Sequence, residues 1–533
     1  MTEEQKKWFD KLYLKRNNTA TTLMDDFAIS NMWNSVIEKY SDQAHFIYEL
    51  LQNANDAKAT KSSFQLTQNG LYFKHNGNKN FWVSNPETEK EDQQNNSLGD
   101  INAITAVAQS NKKDQSTIGK FGVGFKAVFQ YTETPHIYDP IFQFKINKFI
   151  VPIRLENDLS DRQKNETVFY FPFDKQEADE NGNLKMSPEK AYLDILEKLK
   201  SLIYPTLFLS SLQEVKWLTE KETGEYTKKI AKRTQEGNIS CEKIELNQQI
   251  GLQQTKDKLF LFSRLTEEYG LNYSIGFFLD EKNRLTPKEF TAFCFFPTKE
   301  ATNLNFILHA PFLLTDSREG IHRSKEHNSN MVDLLAQLSS DSLLILKKLN
   351  LIDDNIINII PYKEKDFYVQ DSWGNLNRRN PKFFAPFYTA IKEKLETEEL
   401  LPTIDNFIES QNAYWAQDNP VLNLFSDEQL AMLIDDEDAK WVFRNLVRNQ
   451  TGKDDELREY IEGCTANWYE MNDLLKLFDS NFIENQSNEW LHRLYEYLSK
   501  NNSYWGDVMD IPPQSLPLFR ANVYHRFRSN VYH

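Results

Sequence analysis

The chain has only three cysteines in 533 residues, Cys241, Cys294 and Cys464, too far apart for a disulfide framework or a zinc knuckle. Their scarcity points to a reducing compartment. No apolar run approaches the roughly 20 residues that a bilayer-spanning helix needs. The first residues, Met-Thr-Glu-Glu-Gln-Lys-Lys, lack the apolar stretch of a secretion signal. The expectation is a cytoplasmic protein with no membrane attachment. Basic residues are in deficit, 62 Lys and Arg against 78 Asp and Glu, for a net charge of −16. A body built to neutralise nucleic-acid phosphates needs the opposite balance. The basic cluster Lys228-Lys229-Ile230-Ala231-Lys232-Arg233 reads as a solvated helix or hairpin. Long-period repeats are absent as well.

What the chain does have is apolar content, 40% hydrophobic and 13% aromatic with 37 phenylalanines, enough for sizeable cores. Within Tyr48-Glu49-Leu50-Leu51-Gln52-Asn53-Ala54-Asn55-Asp56-Ala57 the spacing is that of an amphipathic helix. Asn53 falls about 40° from Glu49 around the helix axis and Asp56 about 20° to its other side. A carboxylate, an amide and a second carboxylate thus share one stripe, either a satisfied polar face or a site. Glycine is sparse, 17 in all, yet three stand within six residues in Thr117-Ile118-Gly119-Lys120-Phe121-Gly122-Val123-Gly124-Phe125. Glycines permit positive φ and close backbone approach, so their N–H groups can converge on an anion ahead of a helix. Taken alone this is a tight turn as readily as a phosphate loop. It is not a P-loop, lacking Gly-Lys-Ser/Thr, nor a dinucleotide-binding turn.

Together, Glu-x-x-x-Asn-x-x-Asp-Ala and Ile-Gly-x-Phe-Gly-Val-Gly-Phe resemble the ATP-binding domain shared by gyrase B, the ninety-kilodalton heat-shock chaperones, histidine kinases and MutL, the GHKL superfamily. The pattern is most similar to the chaperones and to sacsin. Two further segments agree. Leu71-Tyr72-Phe73-Lys74-His75-Asn76-Gly77 ends where the family places its adenine-binding segment, and Glu166-Thr167-Val168-Phe169-Tyr170-Phe171 resembles the family's Gly-Thr strand.

The resemblance implies ATP and Mg²⁺ as ligands and gives each residue an expected part. Glu49 would be the general base for the attacking water, and Asn53 would complete the Mg²⁺ shell. Asp56 would position the nucleotide. Gly119, Gly122, Val123 and Gly124 would offer backbone to the phosphates, with Phe125 anchoring the loop and Lys120 or Lys126 adding charge. Asn76 stands nearest the family's adenine-accepting aspartate, followed by Gly77, and Thr167 would help hold the base. Two departures stand out: Asn76 in place of an aspartate, and Glu166 where a glycine is usual. Further along, Phe293-Cys294-Phe295-Phe296-Pro297, Thr302-Asn303-Leu304 and Phe312-Leu313-Leu314-Thr315-Asp316-Ser317-Arg318 resemble the sacsin pattern downstream of its ATP site. Arg318, with Arg323 second, is the candidate for an arginine reaching the γ-phosphate. A surface arginine in a turn is the competing reading.

The expected fold class is α+β. Residues 1–175 would form a two-layer α/β sandwich of the Bergerat type, with a polar lid over about 84–118 carrying a short helix near Ile101–Ala108. Residues 176–365 read as an α+β middle domain opened by an amphipathic helix from Pro188, and 382–533 as a mainly helical region. Asn-Val-Tyr-His recurs at 522–525 and 530–533, which reads as an architecture short of a further module. The function expected is ATP binding with slow Mg-dependent hydrolysis, driving lid closure, and with it a nucleotide-dependent dimer, in a chaperone-like or defence protein with a protein client or effector. The alternative is a nucleotide-sensing interaction module that does not hydrolyse ATP. His45, the one histidine near the motif, lies on the helix itself rather than on a kinase dimerisation helix, and the charge balance disfavours a MutL-like DNA partner.

Overall fold

The structure is a computed structural model that describes residues 1–24, 45–106, 125–176, 184–267, 270–315, 319–500 and 517. The chain divides into two compact units, Met1–Lys282 with Lys288–Met331, and Asn283–Pro287 with Val332–His533. Among the described residues no helix is long and apolar enough to cross a membrane.

The first unit is built on a large mixed sheet. Its strands β1 (Lys61–Thr67) and β2 (Gly70–His75) form a hairpin whose side chains alternate between buried and half-exposed. Gly70 closes the turn because a Cβ there would stand 2.7 Å from the Phe171 carbonyl oxygen and from the Tyr170 ring. The strands β3 (His136–Tyr138), β4 (Gln143–Asn147), β5 (Val151–Arg154) and β6 (Thr167–Pro172) lie on one side of this hairpin, in the order β5-β4-β3-β6-β2-β1. On the other side β7 (Glu214–Leu218) pairs parallel with β1. A meander follows, β8 (Thr223–Glu236), β9 (Ile239–Ile250), β10 (Gln253–Leu265) and β11 (Asn272–Leu279), and the sheet ends in Ile307–His309, Thr291–Cys294 and Phe296–Ala301. The basic cluster at 228–233 is therefore a strand of the β8–β9 hairpin.

Helices α1 (Glu3–Met24) and α2 (His45–Asp56) belong to the same unit. The apolar stripe of α2, Ile47, Leu50, Leu51 and Ala54, shares one core with Phe64, Leu66, Leu71 and Phe73 of the hairpin and Phe169 and Phe171 of β6. Each of the larger side chains, Ile, Leu or Phe, contributes roughly 1.5–3 kcal/mol on burial. On the opposite face Tyr72 stacks on Tyr170 at 4.3 Å, so the sheet is apolar toward α2 and aromatic-polar away from it. Ser187 caps the helix Pro188–Lys200 by accepting from the Lys190 amide, with proline in its first turn.

The segment from Ser84 to Ala106 is folded, not a structureless loop. It carries two short helices, α3 (Glu89–Gln94) and α4 (Asp100–Ile104). Asn102 is fully buried; its Oδ1 accepts from the Ser84 amide at 2.9 Å and its Nδ2 donates to the Ser84 carbonyl at 3.2 Å. Residues of α1 hold the same segment through Arg16 to Glu89 (2.6 Å), Lys15 to Glu89 (2.5 Å) and Lys11 to Glu87 (2.7 Å). A polar composition here reflects side-chain anchoring rather than disorder.

In the second unit, helices such as Ala385–Thr397, Asp455–Cys464 and Asn488–Lys500 accompany three short parallel strands, Lys440–Val442, Ala413–Ala416 and Asn467–Tyr469. Trp415, Trp441 and Trp490 are all buried, the last two within one apolar core, and the indole N–H groups of Trp415 and Trp490 donate to the Leu446 and Leu424 carbonyls. Pro386 sits in the first turn of Ala385–Thr397, where its missing N–H costs nothing.

Candidate functional site

The polar stripe of α2 is turned inward. Glu49 and Asn53 are each only 3% exposed, on a helix whose remaining faces pack into the core. Burying an amide without a partner costs free energy, yet Asn53 Oδ1 has no hydrogen-bond partner among the described residues. Asn55, by contrast, is spent structurally. Its Oδ1 accepts from the Ser211 and Leu212 amides at 2.8 and 3.3 Å, tying α2 to the chain that leads into β7. Asp56 is half-buried at the end of the helix. Lys58, with φ of +62°, turns the chain out while the Ala59 amide donates back to the Ala54 carbonyl.

The end of β2 meets this terminus. Gly77 passes so close to α2 that a Cβ would stand 2.7 Å from both the Cβ and the carbonyl oxygen of Ala57, so only glycine fits. The Asn78 amide donates to the Ala57 carbonyl at 2.9 Å. Asn76 is exposed, and its side chain is committed elsewhere. Its Oδ1 accepts from the Thr60 and Lys61 amides, both at 3.0 Å, and its Nδ2 donates to Thr60 Oγ1 at 2.9 Å. It is the preceding residue, His75, that lies inside.

A recess of about 20 Å³, room for a water molecule, opens among Asn53, Ala57, His75, Lys79, Phe81 and Phe169. Lys79, about half exposed, pairs with Asp100 of α4 at 3.3 Å, and both also line it. His75 is 5% exposed, and burial pulls its pKa down to about 4, so the ring is neutral. Thr167 stands directly across from His75 in the β2–β6 ladder and is buried. Its hydroxyl donates to Asp139 Oδ2 at 3.4 Å. Asp139, fully buried, also accepts from the Phe81 amide at 3.2 Å and the Ile141 amide at 2.9 Å. Burial raises its pKa, against which those hydrogen bonds act.

Asp139 and His75 are missed by sequence reasoning. An Asp before Pro140 in a strand-to-strand turn carries no local mark of its bond to Phe81, and His75 is separated from Asn76 only by strand parity.

Phe125 opens a two-turn 3₁₀ stretch, Phe125–Gln130, and is buried against Phe169 and Phe171 at ring distances of 6.1 and 6.2 Å. Lys126 is buried as well and turns into the protein. Its Nζ donates to the Ile104 carbonyl at 2.8 Å and the Phe149 carbonyl at 2.6 Å. Gly119, Lys120, Gly122, Val123 and Gly124 lie outside the described residues, as does Arg318. Arg323 pairs with Glu300 at 2.5 Å on the surface of the first unit.

A family model, the sacsin domain, matches residues 28–141. This segment is sacsin-like. Protein NO VEIN of Arabidopsis thaliana is 25% identical to the chain over 337 residues, which is 57% of this chain and 11% of that protein. The chain therefore spans about a tenth of that relative's length. The sacsin-like segment holds α2, the β1–β2 hairpin, α3, α4, β3 and Asp139; among the residues lining the recess only Phe169 of β6 comes from beyond it. The region downstream reaches the same helix from its other side, where Tyr48 of α2 stacks on Phe296 at 4.2 Å. Phe295 at that bend has φ of +63° and its amide donates to His309 Nδ1 at 3.1 Å. The segment ending at Thr315 is held by Asn328, which bonds both the amide and the carbonyl of Leu313 at 2.8 Å.

Proposed function

We propose that the sacsin-like segment and β6 form a Bergerat-type nucleotide site of the GHKL class that binds a nucleoside triphosphate with Mg²⁺ and hydrolyses it slowly. The observation that carries this reading is Asn53 Oδ1, a buried acceptor with no hydrogen-bond partner among the described residues, beside a recess roofed by aromatic side chains. An orphaned amide oxygen is costly unless a cation or donor arrives, and a hard cation takes such an oxygen together with phosphate oxygens and water. Among the described residues no cluster of three His, Cys, Asp or Glu side chains forms a ready-made metal cage, in keeping with an ion held mainly by its nucleotide. When bound, Mg²⁺ would neutralise charge on the transferring phosphoryl group.

The chain's own residues supply the rest. Glu49, one turn before Asn53 and on its face, accepts a proton from the attacking water as the new P–O bond forms and the bridging P–O bond to the diphosphate breaks. Asp56 at the helix end orients the nucleotide, and the glycine segment Gly119–Gly124 offers amide donors to its phosphates. A base needs more room than the recess has, so Lys79 swings away from Asp100, which couples entry to the position of α4. Closure of such a lid fits slow turnover and a conformational cycle acting on a protein client or effector.

Nucleotide binding and phosphate release with Mg²⁺ present and absent test this reading. Asn53→Ala is expected to abolish the Mg²⁺ dependence of binding, and Glu49→Ala to keep binding while lowering phosphate release at least a hundredfold. Equal release by wild type and Glu49→Ala rules out the general base and leaves the non-hydrolysing sensor. Absence of any nucleotide binding removes the site.

A further inference from the structure

His75 changes what the recess can recognise. The Gly77 amide donates to its Nδ1 at 3.1 Å, and a backbone amide can only donate. Nδ1 is thereby fixed as an acceptor, so the single proton of the neutral ring resides on Nε2. Ring contacts with Phe73 at 5.9 Å and Phe169 at 6.1 Å hold the imidazole in place, and no described residue hydrogen-bonds Nε2. Directly across from His75 in the β2–β6 ladder, the buried Thr167 hydroxyl donates its hydrogen bond to Asp139 Oδ2 at 3.4 Å, so the lone pairs of Oγ1 are what it has left to offer. The buried pair is thus one donor, Nε2–H, beside one acceptor, Oγ1. Asn76, which could have accepted, is bonded to Thr60 and Lys61 outside the recess.

Resting on the nucleotide-site reading above, we propose that this recess selects a 6-oxopurine nucleotide, of the inosine or guanosine class, over an adenosine nucleotide. The edge of a 6-oxopurine offers an acceptor at O6 beside a donor at N1–H, which matches His75 Nε2–H and Thr167 Oγ1. Adenine offers the reverse, a donor at N6 beside an acceptor at N1, and would leave two buried groups facing like partners. Mismatched buried hydrogen-bonding groups discriminate strongly because neither regains its water. An aspartate at position 75 would restore an acceptor for N6.

The test is equilibrium binding of the magnesium complexes of ITP, GTP and ATP to the full chain. Wild type, His75→Asp and His75→Gln are compared, with thermal melts to verify folding. Wild type is expected to bind ITP or GTP at least tenfold more tightly than ATP. His75→Asp is expected to reverse that order, and His75→Gln, whose amide can donate or accept, to flatten it. Wild type binding ATP as tightly as or more tightly than ITP and GTP overturns the inference while leaving the nucleotide site standing. A preference in wild type that persists in folded His75→Asp or His75→Gln overturns it too. No binding of any of the three by wild type overturns the site itself.

Discussion

Replacing Lys126 by methionine tests the packing between the 3₁₀ stretch and α4. The Lys126 ammonium is enclosed, with the Ile104 and Phe149 carbonyls as acceptors, and burial together with the Arg16 charge lowers its pKa to about 7 from 10.5. In the unfolded chain the lysine keeps its proton to about 10.5, whereas the folded state sheds it from about 7 upward. The folded pKa is the depressed one, so its contribution is greatest above the unfolded value and is lost as pH falls through the folded one. Between about pH 7 and about pH 9.5 the linkage relation gives a gain in stability of about 3 kcal/mol. Lys228 acts with the same sign, its pKa drawn down to about 8 by burial, so the quantity to read is the difference between two proteins. Buried tyrosines such as Tyr131 have their pKa raised and reverse the trend only at higher pH. Urea titrations followed by tryptophan fluorescence at several pH values up to about 9.5 are expected to show the wild-type transition of the first unit rising more steeply than that of Lys126→Met. The absolute stability at pH 7 is not diagnostic, because methionine removes a buried charge and also strands two carbonyls, effects of about 1–3 kcal/mol with opposite signs. Parallel pH curves for the two proteins refute the enclosed, deprotonating lysine and return Lys126 to solvent or to a ligand phosphate.

Two further substitutions probe the two units separately. Gly224 faces Trp217 across the β7–β8 ladder, and a Cβ there would fall 2.1 Å from the buried indole. Gly224→Ala is expected to cost about 1–3 kcal/mol by overpacking, and an unchanged melting transition for the first unit would contradict that geometry. In the second unit Ser426 and Gln429 form a reciprocal capping box at the start of Asp427–Ile434. Ser426→Ala should lose about 1 kcal/mol there and Ser426→Asp should restore most of it, read from urea titration; equal stability of all three proteins refutes the cap.

Much of this protein follows from local chemistry that the sequence carries by itself. The 3.6-residue spacing of Glu49, Asn53 and Asp56 sets one polar face on α2 before any packing is known. The alternation in β1, β2 and β6, the Ser187-Pro188 start of a helix and the place of Pro386 are equally local, because each depends on neighbours within a few residues. Other features depend on partners distant along the chain. Asp139 reaches the Phe81 amide, Lys126 turns toward Ile104 and Phe149 rather than solvent, and the polar run after Ser84 folds because Asn102 and residues of α1 satisfy it. Strand parity is the sharpest case. Adjacent residues in a strand face opposite sides, so whether Asn76 or His75 enters the recess depends on how β2 sits against β6 and α2. The sequence determined the polar face of the helix and the end of the strand, each from local spacing; tertiary packing brought the two together and decided that a neutral imidazole, and not an amide, looks inward, because the Gly77 amide and two phenylalanine rings hold it there.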